Sequence, residues 1–272
     1  MIYLNSMKIN DLKKLPKKDL IVFDLDGTLI ETKSPLDKEM SGLLGKLLSQ
    51  KKVAVIGGGK YETFKGLFLQ RLRCKRPLLA NLFIFPTTST SFYKYKDRGW
   101  KNIYSLRLSQ SQVKKIKETF EKVFKEIGYQ HPKKTYGEII EDRGTQVSFS
   151  VYGQDLVIAL GKKGVKMKKE WKKKHTRTKM KIARLMQKYL FEFEVRAAGY
   201  TTIDVTKKGI DKAYGIKQIQ KYLKVPFSKM LFVGDALYRG GNDHAVIKTG
   251  VDYIPVSGPR ETKRIISELL KN

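Results

Sequence analysis

The chain predicts an α/β fold in which a parallel sheet is interrupted by an α+β insert. Three observations predict it. Apolar runs such as Ile21-Val22-Phe23 and Leu231-Phe232-Val233 stop at acidic residues, the pattern of strands buried on both faces. Strand and helix signals alternate over 19–107 and resume near the end of the chain, as right-handed βαβ crossovers require. Between these stretches the rhythm changes to lysine-rich helices and short β segments separated by Gly and charged residues. The expected division is 1–107, then an insert over 108–206, then 207–272.

Each element follows from its local pattern. Residues 20–25 read as a buried strand. Residues 36–50 have helical periodicity, with Leu43, Leu44, Leu47 and Leu48 on one face. A strand over 52–56 closes at Gly57-Gly58-Gly59, a helix follows over 61–73, and 82–85 forms a third strand before Pro86. Residues 88–95 alternate like an exposed strand. In the insert, 109–127 and 171–190 read as helices, and 136–141, 146–152, 156–160, 191–195 and 201–205 read as β segments. The last part returns to helix over 213–223, strand over 230–234, helix over 243–249, strand over 252–255 and helix over 261–270.

Bulk properties narrow the class. The single cysteine, Cys74, excludes an intrachain disulfide. Residues 1–16 lack an apolar core of signal-peptide length, and no stretch approaches the ~20 apolar residues that span a bilayer. A soluble cytoplasmic protein with no membrane partner is expected. The formal net charge of +30 attracts polyanions without choosing among them. A solvated lysine-rich surface accounts for it equally well.

The chemistry-bearing residues cluster at strand ends, the edge where open α/β sheets bind ligands. Asp24 and Asp26 lie two apart in Asp24-Leu25-Asp26-Gly27-Thr28, where Gly27 allows a sharp turn and Thr28 can bond a phosphate oxygen or hold the loop. Gly234-Asp235 ends a later strand and is followed by Gly240-Gly241-Asn242-Asp243. Oxygen donors from two distant segments suit Mg2+, with Asp235 as a direct ligand and Asp243 as a direct or water-bridged one. A plain helix cap is the other reading of Asp243. Lys212 stands just before a helix, placed to offset phosphate and carboxylate charge or simply to decorate the surface. Gly57 and Gly58 offer either a phosphate nest or a strand-to-helix turn. His131, His175 and His244 are too scattered for a zinc set.

Taken together, these motifs resemble the haloacid dehalogenase superfamily of phosphohydrolases. The insert resembles its C2-type cap, subclass IIB, and the chain is most similar to eukaryotic-type phosphomannomutases and related bacterial sugar phosphatases. The resemblance implies a Rossmann-like core (1–107 and 207–272) with a cap over 108–206. It implies Asp24 as nucleophile, Asp26 as general acid and base, and Lys212 as the group steadying the phosphate. Magnesium would be held by Asp24, the Asp26 carbonyl and Asp235, with Asp243 in support. Arg143 would grip the distal phosphate of the substrate, a small phosphorylated sugar.

Two departures bear on the reaction. The second motif carries Gly57 to Gly59 where Ser or Thr is usual. Gln154 stands where the mutases have a second cap arginine, and loss of that fork weakens retention of a bisphosphate. The expected activity is therefore a sugar phosphatase, with phosphomannomutase as the alternative. A third reading rests on residues 161–188, which carry thirteen Lys or Arg and one acid, Glu170. That face reads either as a nucleic-acid surface or as a solvated helix face of the cap. The oligomeric state stays open, a homodimer included.

Overall fold

The structure, a computed structural model, describes residues 17–271; the reading of 1–16 as lacking a signal peptide lies outside them. The chain divides into two compact units, with breaks after Ser105 and after Ile210.

The first unit holds β1 (Leu20–Asp24), α1 (Lys38–Leu48), β2 (Lys52–Ile56), α2 (Tyr61–Leu67), β3 (Leu82–Phe85), a single turn α3 (Pro86–Ser89), β4 (Ser91–Lys96) and β5 (Gly99–Ser105). A seven-stranded sheet is completed by two strands from the far end of the chain, β10 (Met230–Gly234) and β11 (Asp252–Pro255), in the order β11-β10-β1-β2-β3-β4-β5. The pairs from β11 to β3 are parallel. Period-two alternation explains the layers. Ile21, Phe23, Val53, Val55 and Val233 pack with α1 and α8 (Pro259–Leu269) on one face. Leu20, Val22, Ala54, Ile56 and Phe232 pack with Ile216 and Ile219 of α7 (Lys212–Leu223) on the other. Burial on both faces requires continuous apolar runs, and β1 is buried at all five positions.

The sheet's far edge departs from expectation. The stretch read as an exposed strand over 88–95 begins as a turn, and β4 starts at Ser91, with Ser91 and Phe92 buried. β4 pairs antiparallel with both β3 and β5. β5, absent from the sequence reading, is joined through Asp97 and Arg98 at φ 52° and 61°, the left-handed pair of a tight hairpin. In α3, Thr87 (φ 47°, ψ 49°) and Thr88 (φ 56°, ψ 40°) are also left-handed. That geometry costs L-residues roughly 1–2 kcal/mol each. Their amides donate to Gly59 O and Gly57 O, both at 2.9 Å, which pins the glycine turn after β2.

The second unit holds α4 (Gln110–Glu126), β6 (Ile140–Asp142), β7 (Val147–Ser150), α5 (Leu156–Leu160), α6 (Lys162–Tyr189), β8 (Phe193–Ala198) and β9 (Thr202–Lys207). Its antiparallel sheet runs β6-β7-β9-β8. Val147, Phe149, Ile203 and Val205 face Phe120, Ile182 and Met186 of the helices. The alternate residues Gln146, Ser148, Asp204 and Thr206 are buried and polar. Residues 156–160 are helical, not β. Tertiary packing overrides the β preference of Val157 and Ile158, because Gly164 of α6 lets the α5 backbone lie against it. Helix α6 also begins at Lys162, nine residues before the predicted start at 171.

Candidate active site

The site is built at the carboxyl ends of adjacent strands. β1 pairs with β10 on one side and β2 on the other, so Asp24 and Gly234 end side by side. Asp24, Asp235 and Asp243 each bring a carboxylate oxygen within 4.8 Å of the other two. Asp24 and Asp243 are buried, and Asp235 is partly so. Lys212, the first residue of α7, is also buried and donates from Nζ to both Asp24 Oδ1 and Asp243 Oδ1. Asp211 accepts from Tyr214 N at 2.8 Å and so caps the helix, which fixes Lys212 at its start.

The remaining contacts fix orientation. Thr28 Oγ1 donates to Asp24 Oδ2 at 3.2 Å. Ala236 N donates to Asp243 Oδ2 at 3.0 Å, so both oxygens of Asp243 are engaged. Gly234 lacks the Cβ that would meet the Asp243 carboxylate, and Gly27, at φ +88°, leaves the same room for Asp235. Asp26 Oδ1 accepts from Lys33 N at 2.6 Å. Gly57 N donates to Phe85 O at 3.2 Å, extending the β2–β3 ladder. His244 Nδ1 lies 3.1 Å from Leu237 O, which ties it to its own loop.

Electrostatics reflect the crowding. Burial pushes the Asp24 carboxyl well above its ordinary range; Lys212 opposes this, and Asp243 and Asp235 add to it. Burial and then Asp243 raise Asp235 to about 6. Burial alone would depress the Lys212 ammonium, yet Asp24 and Asp243 more than offset it and hold its pKa above the usual lysine value. Three carboxylates share one ammonium, which leaves net negative charge among hard oxygen donors. That donor set fits a divalent cation such as magnesium.

Arg143 and Gln154 belong to the second unit, where Arg143 Nη2 donates to Gln154 Oε1 at 2.8 Å. The sequence reading missed Glu141, whose Oε2 accepts from Arg143 Nε at 2.7 Å. The signal was present: Glu141 and Arg143 are two apart, the spacing that shares a strand face. It also missed the strained turn at Thr87 and Thr88, for which single-sequence patterning carries no signal.

The family profile of haloacid dehalogenase-like hydrolases matches residues 21–249. The chain belongs to this family. As a haloacid dehalogenase-like hydrolase it is an enzyme, and members typically use Mg2+, for which the Asp24, Asp235 and Asp243 cluster is the candidate site. Among its relatives is a probable phosphomannomutase of Caenorhabditis elegans, 25% identical over 93% of this chain and 96% of its own. Another is a phosphomannomutase of Encephalitozoon cuniculi, 26% identical over 94% of each chain. The fold is similar to that of the IMP-nucleotidase of Plasmodium falciparum, with TM-score 0.69 at 17% identity, covering 97% of this chain and 70% of that one. It is also similar to trehalose-6-phosphate phosphatase of Aspergillus fumigatus, with TM-score 0.51 at 16% identity, covering 97% and 96%. These relations agree with the resemblance read from the motifs.

Proposed function

We propose that the protein is a magnesium-dependent phosphohydrolase of small sugar phosphates that works through an aspartyl-phosphate on Asp24. The observation that carries this reading is the convergence of Asp24, Lys212, Asp235 and Asp243 at one sheet edge. Bound magnesium, held by Asp24, the Asp26 carbonyl and Asp235, would offset the crowded carboxylates and the charge on the phosphoryl oxygens. Asp243, with both oxygens engaged, supports the site through Lys212 and bound water rather than as a direct ligand.

Asp24 attacks phosphorus, the bond from phosphorus to the sugar oxygen breaks, and Asp26 gives its proton to that oxygen. Asp26 then takes a proton from the water that attacks the aspartyl-phosphate, and inorganic phosphate leaves with Asp24 restored. The bond from Lys33 N holds one Asp26 oxygen and orients the other for this proton transfer. Lys212 favours the ionised form of Asp24 against burial and aims its carboxylate. Thr28 and Gly58 line the phosphate, while Gly57 serves the turn.

Arg143, Gln154 and Glu141 select the sugar. Glu141 already offsets the Arg143 charge, and Gln154 occupies part of its donor fork. A second phosphoryl group would have to displace a carboxylate, which favours a monophosphate and hydrolysis. The second reading, a phosphomannomutase, is favoured by the relatives of that name over nearly the whole chain. A phosphate-release panel of hexose phosphates, with a nucleoside monophosphate as an out-of-class control and with or without a hexose bisphosphate, separates the two. Free phosphate with no isomerised hexose phosphate supports hydrolysis. Isomerisation stimulated by the bisphosphate supports the mutase. Asp24→Asn is expected to lower either activity by about 10³-fold or more.

A further inference from the structure

Helix α6 carries a basic stripe that the proposed catalysis does not use. Lys169, Lys173, Arg177, Lys181, Arg184 and Lys188 follow one another at three- and four-residue steps, and all are exposed. That spacing stacks side chains along one helix face. Lys162 and Lys166 extend the stripe toward the helix start; His175, at φ −124° and ψ 19°, kinks the helix between Lys173 and Arg177, so the stripe is two runs of four basic residues, each about 16 Å long at 1.5 Å per residue. Among the described residues, no carboxylate forms an ion pair with any of these eight.

A neighbouring helix of the same unit supplies an internal control. Helix α4 is also lysine-rich, but Glu118, Glu121 and Glu126 interleave with its lysines, and Lys114 pairs with Glu118. A general excess of lysine would mark both helices alike. Of these two helices, α6 is the one nearly cleared of acids, with Glu170 the sole exception in 28 residues.

We infer that this stripe binds the sugar-phosphate backbone of nucleic acid, reading charge rather than sequence. Rows of cations on exposed helix faces match a linear polyanion, and each run spans several phosphates of a nucleic-acid strand. A bilayer fits less well. The apolar side of α6, with Trp171, Ile182, Ala183 and Met186, is packed into the core of the unit, which leaves Met180 as its exposed large apolar side chain, too little to insert among lipids.

The test compares the full-length protein with a quadruple α6 variant (Lys173→Gln, Arg177→Gln, Lys181→Gln, Arg184→Gln) and a charge-matched α4 variant (Lys114→Gln, Lys117→Gln, Lys122→Gln, Lys125→Gln). Fluorescence anisotropy follows labelled single-stranded and duplex oligonucleotides across a salt series, and flotation follows vesicles rich in phosphatidylserine. Hydrolysis of p-nitrophenyl phosphate, measured in parallel, checks the fold of each variant and reports the catalytic reading separately. The expected result is oligonucleotide binding that weakens steeply with salt. The α6 variant should bind at least about tenfold more weakly, with a salt slope shallower by up to about four, and the α4 variant should change little. No oligonucleotide binding at low salt, equal losses in the two variants, or binding to vesicles alone would overturn the inference.

Discussion

At the scale of single residues, two buried lysines show opposite electrostatic designs. Lys212 sits between Asp24 and Asp243, and its charge is matched. Lys212→Ala would leave buried carboxylates facing one another. It is expected to cost roughly 3–5 kcal/mol without metal, measured by chemical denaturation, as well as the activity. Lys179 is the contrary case. Burial, with Lys172 adding to it, lowers its pKa to about 8, and Nζ donates to Gly199 O at 2.8 Å. Between about pH 8 and the ordinary lysine value the unfolded chain holds the extra proton, so stability rises with pH across that window. Below pH 8 the buried ammonium carries its full penalty. Lys179→Met should therefore raise stability at pH 7 by about 1–2 kcal/mol, with a smaller gain near pH 10. An equal gain at both pH values would show that packing, not charge, is responsible.

At the scale of elements, the strands carried the clearest signals because burial on both faces leaves no alternative to an apolar run. β2, β3 and β10 were legible to the residue and β1 to within one, and so was the clustering of acids at the strand ends. Elements set by tertiary contacts were not. Residues 156–160 include β-forming side chains, yet they are helical and pack their backbone closely against Gly164. Glu141 was legible from its two-residue spacing to Arg143 and was nonetheless passed over. The left-handed turn at Thr87 and Thr88 is invisible to patterning because neither residue prefers that backbone. It yields a direct test. Thr88→Gly removes a steric cost and is expected to raise stability by up to about 1 kcal/mol if the turn is kept, read as a higher Tm. Gly234→Ala should do the reverse, because the new methyl group would collide with the Asp243 carboxylate.

At the scale of the whole molecule, a chain with a formal charge of +30 gathers three carboxylates at one sheet edge, formed by segments about two hundred residues apart. Among the described residues, no helix is long and apolar enough to cross a membrane. A cation that binds only the folded site stabilises it by mass action, about 2.7 kcal/mol at a hundredfold excess over Kd. Magnesium should accordingly raise the Tm of the unmodified protein by several degrees, and much less in Asp235→Asn. The central claim is that Asp24 accepts the phosphoryl group. It is tested most directly by acid-quenching the enzyme during turnover of p-nitrophenyl phosphate with magnesium and mapping the modified peptide by mass spectrometry. The account predicts one phosphoryl group on Asp24, absent when magnesium is chelated. A phosphoryl group on any other residue, or turnover undiminished in Asp24→Asn, would contradict it.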